Sequence, residues 1–382
     1  MTGLYIHIPF CESRCIYCGF YSTTSLKLRD DYVDALCKEM EMRPFSPTPH
    51  GKDKLSTIYL GGGTPSQLTG QQLIRLFSSI EKVYGKIAKL DNPMEITMEC
   101  NPDDVTDDFC ETLRQLPINR ISMGAQTFDD SRLRFLHRRH KAKDVTNAIK
   151  RLRNIGIQNI SIDLMFGFPN ETLDNWQRDI RQAIDTGVEH ISAYSLMYEE
   201  GTTLYKLREL NKCQEIEEEL SRKMHDTLID QLTKAGFEHY EISNFARPGY
   251  RSRHNSSYWH EIPYIGVGAA AHSYQDNTRS WNIADIKQYI KSIQQGILPS
   301  ESEFLDINTK YNDLITTALR TSDGIDLARM KQKYGTQLFH RLKKDAEIEI
   351  ARGFMKIENG HLSLTREGLY ISDDIMSNFM IV

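Results

Sequence analysis

Between residue 3 and about residue 200 the chain alternates short apolar runs with longer stretches of helical period. Short apolar runs bounded by turn residues read as buried strands, and 3.6-residue periods between them read as helices that cover those strands. The pattern predicts strands over 4–8, 56–60, 95–98, 120–122, 159–164 and 190–196, with helices over 29–42, 69–84, 106–116, 142–155 and 172–186. The last helix opens with Thr172-Leu173-Asp174-Asn175 after Pro169, a start signal. Strands that alternate with helices are parallel, because each helix returns the chain to the same sheet edge. Six such strands predict an α/β fold, a partial (β/α)6 barrel.

After Gly201 the pattern changes. A charged helix is predicted over 214–234, followed by Tyr240-Glu241-Ile242-Ser243-Asn244-Phe245 and, after a polar aromatic segment, Tyr264-Ile265-Gly266-Val267-Gly268-Ala269. A second region begins near Pro299, with helices over 302–321, 327–334 and 336–351. Two short apolar runs over 354–357 and 361–364 hinge at Asn359-Gly360, and a last helix spans 365–379. We therefore expect two domains, a barrel with its extension over 1–298 and a smaller, mainly helical, winged-helix-like unit over 299–382.

Composition narrows the class. With 382 residues, 40% hydrophobic and 26% charged, the chain has the apolar material for a large core. No apolar run approaches the roughly 18 residues of a membrane span, and the N-terminus enters a strand without a basic, cleavable leader. A cytoplasmic location without an integral membrane segment is the expectation, and free thiols suit that compartment. A formal net charge of −5 argues against a nucleic-acid partner, and the basic run Arg138-Arg139-His140-Lys141 reads as a solvated face.

The chemistry gathers at predicted strand ends, where the βα loops of a parallel barrel form its functional face. Cys11, Cys15 and Cys18 follow the first strand, with three and then two residues between the thiols. A four-iron cluster normally takes four cysteines, so a compact set of three leaves one iron open for a small chelating molecule. A zinc site or a disulfide is the alternative for clustered cysteines, with His7 the nearest further ligand. Cys37, Cys100, Cys110 and Cys213 are scattered and read as small buried hydrophobes. Gly61-Gly62-Gly63-Thr64-Pro65 ends the second strand, and glycines there let the backbone approach a ligand closely or simply make a βα turn. Glu99, Gln126 and Asp163 end the next strands as polar groups suited to hydroxyls and an ammonium. Arg138 suits a carboxylate. Helix capping for Asp163 and a surface ion pair for Arg138 are the plain alternatives.

These blocks carry a resemblance. The cysteine segment resembles that of the radical S-adenosylmethionine (SAM) enzymes. Together with His7-Ile8-Pro9-Phe10-Cys11, Gly61-Gly62-Gly63-Thr64-Pro65-Ser66, Ser122-Met123-Gly124-Ala125-Gln126-Thr127-Phe128 and Asp163-Leu164-Met165-Phe166-Gly167-Phe168-Pro169, almost the whole chain looks like the anaerobic coproporphyrinogen oxidase family. The resemblance implies a [4Fe–4S] cluster on the three cysteines and SAM at Tyr5, Tyr17, Gly62, Gly63, Thr64, Glu99, Gln126, Arg138 and Asp163.

Two departures point to one branch. The family's oxidases carry a fourth cysteine two residues after the third, where this chain has Phe20, and an extension ahead of the first strand, which here starts at residue 3. Both fit the HemW-type branch of heme chaperones, as does His254-Asn255-Ser256-Ser257-Tyr258-Trp259, which matches that branch's heme-associated motif. An imidazole can ligate heme iron and aromatic rings can pack on a porphyrin, although a His beside Tyr and Trp is also an ordinary packing group. His254, Asn255, Tyr258 and Trp259 are thus the candidate heme contacts, with His260 and His272 as nearby alternative ligands. The resemblance implies heme as cargo, transfer to heme-acceptor proteins (respiratory ones among them), and a monomer or weak homodimer. The alternative is an oxygen-independent coproporphyrinogen III dehydrogenase that decarboxylates propionates by radical chemistry, an activity not expected with Phe20 in that place.

Overall fold

The computed structural model describes residues 2–43, 55–85, 94–275 and 277–381. All six expected strands are present: β1 Thr2–Ile8, β2 Leu55–Gly62, β3 Glu95–Cys100, β4 Arg120–Gln126, β5 Asn159–Phe166 and β6 His190–Ser195. Each pairs in parallel with the next. The expected helices between them lie at Arg29–Met42, Gly70–Tyr84, Asp107–Arg114, Ala142–Asn154 and Leu173–Asp185. Their starts follow local chemistry: Thr69, Thr106 and Thr172 each accept a backbone N–H of the first turn, and Gln72 completes a reciprocal capping box with Thr69.

The strands alternate in a way that short apolar runs alone do not convey. Ile58, Leu60, Ile96, Met98, Ile121, Met123, Ile160 and Ile162 join the main core under the helices. The positions between them are Tyr59, Thr97, Glu99, Ser122, Ser161 and Asp163, and four of these line one cavity. The sheet thus curves around a polar interior and is greased on its outside, with the period of two that a strand imposes.

Several elements differ from expectation. A seventh parallel strand, β9 Tyr264–Val267, pairs with β1 on its other edge. Between β6 and β9 the chain makes β7 Glu238–Glu241 and β8 Asn244–Ala246, and β8 runs antiparallel to β6. Three antiparallel strands, β10 His272–Gln275, β11 Thr278–Asn282 and β12 Ser300–Phe304, extend the β9 side. The helix expected over 302–321 is therefore a strand followed by a helix over Ile307–Ala318. Ser300 to Phe304 takes up the free edge of β11, and Asp306 caps the new helix by accepting the Thr309 N–H at 2.8 Å. The charged helix begins at Glu218 rather than 214. The expected final helix is two pieces, Arg366–Leu369 and Ser372–Phe379.

The second core gathers residues from Tyr311 to Phe379. Its helix Leu327–Ala351 bends at Gly335, whose φ of 84° lies in the left-handed region, so it acts as the two expected helices. Short strands β13 Ile325–Asp326, β14 Met355–Glu358 and β15 His361–Leu364 pair in the order β13-β15-β14. One helix, a short strand, two helices and a hairpin is the order of a winged helix. Among the described residues no helix is long and apolar enough to cross a membrane.

Candidate functional site

The loop after β1 is pinned at three places. Cys11 N–H donates to Thr23 O at 3.0 Å, Thr64 N–H donates to Phe10 O at 2.8 Å, and Leu204 N–H donates to Ile16 O at 2.8 Å. Ile16 is itself buried in a small apolar cluster with Leu136, Phe168 and Leu204. A cysteine loop held at its entry and middle turns all three thiols into one cavity of about 660 Å³. Thr64 Oγ1 donates to Cys11 Sγ and Arg138 Nη1 donates to Cys15 Sγ, each at 3.5 Å. Burial pushes the Cys11 and Cys18 thiols up. Among the described residues no three His, Cys, Asp or Glu side chains close tightly enough on one point to grip a single ion. Cys11, Cys15 and Cys18 are free thiols on the wall of one cavity, a donor set that suits an iron–sulfur cluster, and no disulfide links them.

The strand ends supply the rest of the wall. Tyr17, Gly62, Gly63, Thr64, Glu99, Gln126, Arg138 and Asp163 all line the same cavity as the thiols. Gly63 sits so close to β1 that a Cβ there would lie 2.7 Å from the Pro9 carbonyl carbon and 2.8 Å from Ile8 O. Only glycine fits that approach. Glu99 accepts from Tyr59 Oη at 2.7 Å and from the Gly62 N–H at 3.0 Å. Burial nevertheless pushes its carboxyl up to about 7, and burial pushes Asp163 up to about 6 against the Ser192 hydroxyl. Gln126 follows a register shift between Gly124 and Gln126 and holds a φ of 64°, a strained conformation for a residue with a Cβ. Arg138 donates through Nη2 to Asn101 Oδ1 at 2.7 Å and Gly124 O at 2.8 Å, so its guanidinium braces the Cys15 thiol against the ends of β3 and β4. Tyr5 is set apart: its hydroxyl lies 2.9 Å from His7 Nδ1 and its ring does not line the cavity.

The His254 segment forms a short helix, Arg253–Trp259, at the opposite end of the strands. Asn255 reaches the floor of the cavity, whereas His254, Tyr258 and Trp259 do not line it. His254 is 1% exposed, with Nδ1 at 2.8 Å from Thr57 Oγ1 and Nε2 at 2.8 Å from Tyr258 Oη. Burial lowers its pKa to about 3, so the ring is neutral and both nitrogens are occupied. Tyr258 packs edge-on against Tyr264, and Trp259 against Tyr240. His260 faces Asp323 and His272 stacks on Trp281, both away from the cavity.

Sequence reading passed over Arg120, Ser192 and Tyr194, all of which line the cavity. The signal was available: each is a polar or amphipathic residue at or beside an inward position of a period-two strand. At the mouth, Phe20 is 71% exposed and Met197 60%, giving the polar cavity an apolar rim.

Comparison with known proteins agrees with this geometry. The Radical SAM superfamily profile matches residues 5–183 and the HemN C-terminal domain profile matches residues 305–371. A protein named heme chaperone HemW from Bacillus subtilis (strain 168) is 35% identical, with 100% of this chain and 99% of that protein covered. The protein of the same name from Lactococcus lactis subsp. lactis (strain IL1403) is 30% identical, covering 100% and 97%. The solved structure of HemN from Escherichia coli, described as a coproporphyrinogen III oxidase and radical SAM enzyme, superposes with a TM-score of 0.82 at 21% identity, over 99% of this chain and 89% of that one. The barrel, the helical C-terminal unit and identity along its full length establish that this chain belongs to the HemW family of radical SAM proteins.

Proposed function

We propose that the protein is a heme chaperone, holding a [4Fe–4S] cluster on Cys11, Cys15 and Cys18, SAM along the facing strand ends, and heme for delivery to an acceptor protein. The observation that carries the reading is the meeting of three free thiols, six polar or glycine strand-end positions, Tyr17 and Arg138 in one cavity, in a chain similar throughout to proteins named heme chaperone HemW. When bound, the cluster supplies an open iron for the amino and carboxylate groups of SAM. This chain's residues do the positioning. Arg138 and Thr64 donate to two of the ligating sulfurs, Gly63 lets SAM lie against backbone, and Glu99 and Asp163 offer carboxylates to its cationic end and hydroxyls.

Phe20 bears on the choice between chaperone and oxidase. It stands at the mouth of the cavity, where it can neither ligate metal nor pass a proton, and it gives a porphyrin an apolar surface instead. For His254 to ligate heme iron, its hydrogen bond to Thr57 or Tyr258 has to open. A cytoplasmic protein, monomeric or weakly dimeric, is the matching cellular picture.

The test is to incubate the anaerobically reconstituted protein with heme and, separately, with coproporphyrinogen, SAM and reductant. Saturable, stoichiometric heme binding without decarboxylation is expected. Conversion of coproporphyrinogen to protoporphyrinogen with no saturable heme band would replace the chaperone by a dehydrogenase.

A further inference from the structure

Arg120 opens β4, is 1% exposed, and lines the cavity at its floor. Among the described residues its Nε and Nη1 have no hydrogen-bond partner. Its neighbours across the sheet are Thr97 on β3 and Asn159 on β5, and Thr97 Oγ1 and Asn159 Oδ1 are also buried without partners. The next inward residue on β4, Ser122, lines the same floor, as does Asn255. A buried guanidinium with idle donors is costly unless something supplies a counter-charge and accepts its hydrogen bonds. Glu99 and Asp163 feel its charge but make no hydrogen bond to it.

We propose that Arg120 anchors a carboxylate-binding subsite at the floor of the barrel, deeper than the strand ends assigned to SAM. On the chaperone reading, on which this identification rests, the carboxylate is a propionate arm of the porphyrin. The guanidinium presents a rigid fork of donors that matches a carboxylate in two parallel hydrogen bonds, and the Ser122 side chain adds a donor on the same floor. One continuous cavity joins the cysteines to Arg120, so an acidic arm reaches the floor from a ligand lodged above. Asn255 shares that floor. This puts the His-Asn-x-x-Tyr-Trp segment at the subsite through its asparagine, while its histidine stays bonded to Thr57 and Tyr258.

The experiment compares the reconstituted full chain with its Arg120→Met and Arg120→Lys variants, using three probes: heme, heme dimethyl ester (the same ring with both carboxylates capped) and carbon-13 propionate. Wild type should bind heme about tenfold or more tighter than the ester, the order of one charge-assisted contact. Arg120→Met should bring heme down to the ester's affinity and leave the ester unchanged, with Arg120→Lys between. Propionate should show saturable line broadening with wild type and none with Arg120→Met. Equal affinity of wild type for heme and ester, or a heme-to-ester ratio that survives Arg120→Met, overturns the propionate assignment. A lower melting temperature of ligand-free Arg120→Met with that ratio intact would make Arg120 a structural counter-charge for Glu99 and Asp163, and equally overturns it. If Arg120→Met fails to fold, Arg120→Lys and the wild-type ratio decide. If wild type binds no heme yet binds propionate in an Arg120-dependent way, the chaperone reading fails and the carboxylate subsite stands. If it binds neither, the subsite falls.

Discussion

Cys15 couples the cysteine loop to the barrel wall, because its sulfur accepts from the same guanidinium that holds Asn101 and the Gly124 carbonyl. Cys15→Ala should abolish the four-iron cluster on anaerobic reconstitution, while Cys37→Ala, remote in the helix Arg29–Met42, should leave it. A four-iron Mössbauer signature in Cys15→Ala would contradict the assignment. At the proposed SAM site, Glu99 should make binding sensitive to pH. Its folded pKa is raised to about 7 by burial, so its negative charge is present above that value and is lost as pH falls through it. SAM carries a net positive charge, so calorimetry should find binding weakening from pH 8 to pH 6, with the dependence flattened in Glu99→Gln. Asp163→Ala should weaken SAM binding by roughly 0.5 to 1.5 kcal/mol, or about twice that if the contact is charged, with the cluster spectrum unchanged. Wild-type affinity in that variant would remove Asp163 from the SAM site.

At the scale of elements, the helix Arg253–Trp259 is too short to stand alone and depends on what caps it. Ser252 accepts from the Asn255 N–H, and the Glu95 carboxylate, brought from β3, accepts from the N–H groups of Arg253 at 2.9 Å and His254 at 2.8 Å. A carboxylate there satisfies two orphan donors and lies at the positive end of the helix dipole. Glu95→Ala should cost about 1–3 kcal/mol in urea unfolding, with the fold otherwise kept. The same helix makes stability depend on acid. Unfolded histidine takes up a proton near pH 6.5, but His254 resists until about 3, so the unfolded state binds more protons between those values. Stability is full above 6.5 and declines as pH falls toward 3. Replacing His254 by Gln should reduce the loss in urea midpoint between pH 7 and pH 5. An unchanged slope would show that the other buried histidines carry the whole effect.

For the whole molecule, polar contacts at several places help fasten the C-terminal unit to the barrel. Arg366 reaches Asp226 and Asp230, each at 2.6 Å, and Tyr370 Oη donates to Asp226 at 2.6 Å. Arg320 pairs with the buried Glu241, and Arg251 with Asp323. Exposed ion pairs contribute little singly, so Asp230→Ala should change stability by less than about 0.5 kcal/mol. Asp226 accepts from two partners and should cost more, about 1 kcal/mol. A denaturation curve in which the Asp226→Ala loss is no greater than that of Asp230→Ala would assign the fastening to apolar contacts instead.

What the sequence by itself determined was local. The six strands, the capped helices between them, the cysteine loop and the glycine turn at Gly62 and Gly63 each follow from period, cap chemistry or backbone freedom within a few residues, and they stand close to where the pattern put them. The cavity also followed, because parallel strands bring all their C-terminal ends to one face, and eight of the nine positions expected for SAM do line it. Tertiary structure alone decided the rest. That β9 pairs with β1, that residues 300–304 become the edge strand β12, and that Tyr59 meets Glu99 depend on partners far apart in sequence. The same holds for His254, whose imidazole could be free or bonded as far as its own segment shows, and which Thr57 and Tyr258 occupy completely. Arg120 is the converse case: a charge at a strand start reads as a solvated end, and only the closing of the sheet around it buried it, with Nε and Nη1 unpartnered among the described residues. Periodicity fixes which face a side chain takes, but what waits on that face is set by the long-range pairing of strands, which no local pattern records.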